Sequence, residues 1–114
     1  MTKRVFADLS KELSIILVGV FLMTQTWGNT TLLTAILALL LALSFHLLRL
    51  KKVYLIHFTV GAIIGSSVEI ILIQHGAWAY TKPSFLGIPM WLPVAWGFVC
   101  VMLVKIAETL RKVI

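Results

Sequence analysis

Residues 53–74 run for 22 positions without a lysine or arginine and with a single carboxylate, Glu69. At about 1.5 Å per residue such a stretch is long enough, as a helix, to cross a hydrocarbon core of roughly 30 Å. A carboxylate inside a membrane helix is expensive, and it is retained where it faces protein or water and acts there. Composition leads to the same solvent. Of the 114 residues, 61% are hydrophobic and 12% charged, whereas a soluble domain has about 45–50% apolar and about 25% charged residues. A soluble chain this short would expose too much surface to cover with so few charges.

The same reasoning divides the chain into four apolar segments, 13–27, 32–48, 53–74 and 91–106. The first two are short for a full crossing and need an extra turn or a locally thinned bilayer. Lys3 and Arg4 ahead of the first segment resemble a signal peptide. The run ends in Thr24, Gln25, Thr26 and Trp27 without a small-residue cleavage site, so it reads as an uncleaved span. Residues 3–12 alternate Val5, Phe6 and Leu9 with Lys3, Arg4, Asp8, Lys11 and Glu12, the pattern of an amphipathic anchor lying in the interface. The connections Gly28-Asn29-Thr30-Thr31 and Arg49-Leu50-Lys51-Lys52 are so short that neighbouring segments are expected to pack as antiparallel hairpins.

Charge orients the bundle. Every lysine and arginine except Lys82 falls before the first segment, between the second and third, or at and beyond the end of the fourth, where Lys105, Arg111 and Lys112 close it. The positive-inside rule then places both termini in the cytoplasm. The fold class expected is all-α: a single-domain integral membrane bundle of four transmembrane helices in a bacterial or archaeal cytoplasmic membrane. The net charge of +6 is accounted for by topology, and no nucleic-acid partner is implied. Cys100 is the only cysteine, so no internal disulfide forms.

Polar residues gather on the third segment. His57, Gly61, Gly65 and Glu69 recur every four residues and share one helix face. Gly61 and Gly65 form a G-x-x-x-G that admits a second helix at close range, and an exposed seam of this kind invites a partner. Ser66 and Ser67 flank it and can donate to Glu69 or to backbone carbonyls. Burial in a low dielectric disfavours the charged form of a carboxyl, which makes Glu69 a candidate acid or proton-coupled site. The alternative is a hydrogen-bonded packing residue. His46 and His57 bracket the second connection, but so short a loop leaves little room for a porphyrin, so no haem or other cofactor is expected. The histidines and the cysteine show no metal-ligand spacing, and no metal is expected.

Trp27, Trp78, Tyr80, Trp91 and Trp96 cluster at the end of the bundle opposite the basic residues. They form either an interfacial belt or the wall of a pocket containing Trp78, Tyr80, Trp91, Trp96 and His75. Pro83, Pro89 and Pro93 stiffen the connection between the third and fourth segments, and a loop this apolar is expected to fold back onto the bundle.

The succession of Glu69, then Gly76-Ala77-Trp78-Ala79-Tyr80, then Gly87-Ile88-Pro89-Met90-Trp91-Leu92-Pro93 and Trp96 resembles a pattern in the membrane proteins of carotenoid biosynthesis, the lycopene-cyclase-like and bacterioruberin-hydratase-like group. The likeness covers about residues 69–97. It implies Glu69 as the acid and the aromatic loop as a wall that contacts an isoprenoid. Three functions follow as expectations. The first is binding of an apolar, lipid or isoprenoid-like ligand beneath the Trp-rich loop, with acid chemistry at Glu69 left open. The second is an accessory subunit of a homo-oligomer or larger membrane complex. The third is a small proton-coupled transporter, of about the length and span number of the small multidrug resistance transporters.

Overall fold

The computed structural model describes residues 2–114 as four helices with no strand among them: α1 (Lys3–Thr26), α2 (Thr30–Leu47), α3 (Tyr54–Gln74) and α4 (Trp91–Arg111). α2, α3 and α4 are each long and apolar enough to cross a membrane. The bundle is 46 × 25 × 23 Å, its long axis close to the full thickness of a bilayer with headgroups, about 40–45 Å. Its surface is apolar. Leu17, Phe21, Leu39, Ile56, Ile63 and Leu103 all point outward, while Glu12, Ser44, Ser66, Glu69 and Thr109 are buried. A surface of this kind suits hydrocarbon rather than water.

Local chemistry sets the helix ends. The Thr2 hydroxyl accepts from the Val5 amide at 3.2 Å, and the Asn29 side chain accepts from the Leu32 amide at 3.1 Å. Both satisfy amides that the first turn leaves without partners. α3 ends in a Schellman arrangement, with the Ala77 amide on the Leu72 carbonyl and the Gly76 amide on the Ile73 carbonyl, each at 3.0 Å. Gly76 takes φ +81° there, a conformation that glycine adopts without steric cost. This turn reverses the chain and sends Trp78 and Tyr80 back toward α3.

α1 departs from the expectation. It is one continuous helix of 24 residues, with no break between an interfacial anchor and a span. Its inward face is Val5, Glu12, Ile15 and Gly19, while Phe6 and Leu13 are exposed. Glu12 is therefore buried rather than solvated, because α4 supplies partners for it.

The packing order also differs from the connectivity. α4 touches all three other helices, α1 and α2 touch each other, and α3 touches only α4. α2 and α3 do not pack as a hairpin despite their short connection. Glycines decide the matter. A Cβ on Gly61 would overlap Cys100 and the Trp96 carbonyl, one on Gly65 would overlap the Trp96 ring, and one on Gly97 would overlap the Phe58 ring. Small residues on both helices bring the two backbones together, which maximises dispersion contacts where lipid offers no hydrophobic drive. The G-x-x-x-G face is thus covered by α4 of the same chain and is not free for a partner.

Candidate functional site

Glu69 lies on the α4-facing side of α3, only 7% exposed. Three aromatic donors converge on it. Tyr80 Oη and Trp78 Nε1 (3.3 Å) donate to Oε1, and Trp96 Nε1 donates to Oε2. The loop supplies Trp78 and Tyr80, which are aimed by the Gly76 turn. α4 supplies Trp96, which the absent side chain of Gly65 admits.

The two carboxyl oxygens between them have acceptor sites for all three donors. No lysine, arginine or histidine pairs with Glu69; the ion pairs among the described residues are Lys105–Glu12 and Lys112–Asp8. Burial, the hydrogen bond to Glu69 and its negative charge, in that order, push the Tyr80 phenol above its ordinary range. Tyr80 thus stays a neutral donor.

Glu69 also lines a hollow of about 270 Å³ together with Met23, Tyr80, Trp91, Ala95, Trp96 and Val99. Trp91 stands edge-to-face against Tyr80, with ring centroids 6.0 Å apart. Two further hollows adjoin the first. One of about 170 Å³ lies between α1 and α4, and one of about 340 Å³ lies between α3 and α4. Val99 lines all three, and Leu103 lines the latter two. Since α1 and α3 do not meet, the α4 stripe Ala95, Val99 and Leu103 floors a trough that is open sideways. From Leu92 to Leu103 it spans about 16 Å of helix, the depth of roughly one leaflet.

The loop above is anchored rather than loose. Ile88 is fully buried. Its backbone exchanges hydrogen bonds of 2.8 and 3.1 Å with Phe85, and Lys82 Nζ reaches the Gly28 carbonyl at 2.8 Å.

Of the residues singled out from the sequence, Glu69, Trp78, Tyr80 and Trp96 form one hydrogen-bonded cluster, and Trp91 joins it through Tyr80. His75 does not. It is exposed, and its Nδ1 lies 2.8 Å from the Ile71 carbonyl on its own helix. Ser67 bonds the Ile63 carbonyl at 2.6 Å rather than Glu69, and the buried Ser66 hydroxyl has no partner. His57 stacks edge-on against Tyr54 at 5.2 Å, on a helix that does not approach the one carrying His46.

A second polar cluster, at the other end of the bundle, was not read from the sequence. Glu12 Oε2 accepts from Lys105 Nζ at 2.9 Å and from the Thr109 hydroxyl at 2.7 Å, and Tyr54 donates to Glu108. Its one local signal is the placement of Lys105, Glu108 and Thr109 on a common face of α4. No protein-family model, curated protein or solved structure matches the chain.

Proposed function

We propose that this is a four-span membrane protein that binds a single lipid-like or isoprenoid-like chain in the lateral trough, with the polar end of the ligand at Glu69. The observation that carries the reading is the coincidence of a sideways-open apolar trough with a lone buried carboxylate at its end. Small-molecule sites are mostly apolar concavities with a few placed polar groups, and this arrangement has that composition. The trough opens where lipid chains lie, so a ligand can enter without crossing water.

In this reading α1 is a fourth span and both termini are cytoplasmic. The basic residues support it, since those of the α2–α3 connection and of both termini lie at one end and Lys82 alone at the other. Reporter fusions at Lys51 and Ile114 should report cytoplasm, and fusions at Asn29 and Ser84 the opposite side. A cytoplasmic signal at Ser84 overturns the topology.

Blocking the trough tests the function. Val99 is 45% exposed on its floor, so Val99→Trp fills it without disturbing the core. The variant should lose the lipid or isoprenoid that co-purifies with the parent, as read by mass spectrometry of organic extracts. Leu39→Trp, on the outer face of α2, should retain it. Equal retention by both variants sinks the reading and leaves an accessory role, in which Glu69 serves only to fasten the loop to α3.

A further inference from the structure

We propose that the polar end of the ligand is a cation: an amphiphile whose ammonium head lies against Glu69 and the rings of Tyr80, Trp91 and Trp96, with its chain along the trough. The inference rests on the trough reading and adds the chemistry of the head group.

Charge complementarity is the first argument. A buried carboxylate without a countercharge is costly, because the lost hydration is not repaid by an ion pair. At Glu12 the fold repays it with Lys105 at 2.9 Å. At Glu69 no cationic side chain is among the partners, and the carboxylate lines an open hollow instead of being sealed. The fold gives one buried carboxylate a cation of its own and leaves the other with neutral donors only.

The walls are the second argument. Tyr80, Trp91 and Trp96 line the same hollow as Glu69, and the perpendicular setting of Tyr80 and Trp91, 89° between planes, makes an aromatic corner. Aromatic faces attract ammonium groups through the ring quadrupole, and indole is the best of them.

The third argument concerns what is missing for other heads. The N–H groups of Trp78 and Trp96 and the Tyr80 hydroxyl are all committed to Glu69. Lys82 is turned away onto the Gly28 carbonyl. A phosphate or carboxylate head would meet a like charge, and of the donors lining the hollow only the Trp91 N–H is left uncommitted to offset it. A hydroxyl head can donate to Glu69, but it gains nothing from the ring faces.

The test uses the full chain in a non-ionic detergent and an equimolar mixture of dodecyltrimethylammonium, dodecanol and dodecanoate, with bound species counted by native mass spectrometry. The trimethylammonium compound should occupy the protein about tenfold over dodecanol, with dodecanoate absent. Glu69→Gln should bring that preference to within about twofold, and Trp91→Leu, which leaves the carboxylate and its hydrogen bonds in place, should reduce it by about threefold. Should Glu69→Gln fail to fold, the Trp91→Leu variant carries the test alone, and an unchanged preference there overturns the proposal. Equal occupancy by dodecanol and the cation in the parent also overturns it and leaves the trough intact. Absence of all three overturns the trough reading and this proposal with it.

Discussion

Glu12 and Glu69 are both buried carboxylates, and the fold treats them in opposite ways. Glu12 is fully enclosed between α1 and α4 with a lysine and a threonine on one of its oxygens. It clamps the two helices together. Glu69 is held by aromatic donors alone, at the mouth of an open trough. A buried carboxylate paired inside the chain is a structural element, whereas in the proposed reading one held only by neutral donors keeps its attraction for a cationic ligand.

Three substitutions would break or sharpen that contrast. The largest effect belongs to Lys105→Met, which strands Glu12 without its cation. Leaving a buried charge unpaired costs about 3 kcal/mol or more, and the expected result is a large loss in thermal or denaturant stability. The double variant Glu12→Leu/Lys105→Met should recover most of that loss, since an apolar pair of similar volume is often no less stable than the ion pair. A small effect of Lys105→Met alone would show that the Glu12 cluster is not the clamp described.

The middle effect is Glu69→Gln. A glutamine oxygen can take the Trp96 N–H while its amide donates to Tyr80, which leaves the Trp78 N–H as the group that loses its partner. Trp78 is 47% exposed and its bond is the long one, so the cost should be about 1 kcal/mol. Comparable losses from Glu69→Gln and Lys105→Met would erase the distinction between a binding carboxylate and a structural one.

The smallest is Gly76→Ala. Nothing crowds the added Cβ, but φ +81° disfavours it, at a cost of about 1 kcal/mol. The expected signature is local. Amide exchange should rise in residues 77–80 while the Glu12 end stays protected. Uniform loosening of both ends would mean that the turn does not position the loop independently of the bundle.

The glycine seam shows how far the sequence could be read. That Gly61 and Gly65 would admit a helix follows from their spacing, and the structure places α4 against both. Which helix it would be does not follow. The short α2–α3 connection pointed to α2, yet only α4 carries Gly97, along with Trp96 and Glu108 to tie α3 at both ends. His75 illustrates the opposite error. Its position six residues past Glu69 suggested a neighbour of the site, but the helix continues to Gln74 and leaves the ring on its own backbone.

Sequence alone determined what is local. The apolar segments, the short connections and the small residues on α3 are all properties of contiguous residues, governed by helix geometry and by the cost of exposing polar groups to lipid. Tertiary structure decided which buried charge would be paired. Glu12 and Lys105 lie 93 positions apart, and Glu69 and Trp96 lie 27 apart. No periodicity encodes such partnerships, because they arise only when packed helices exclude solvent and bring distant polar groups within reach of one another.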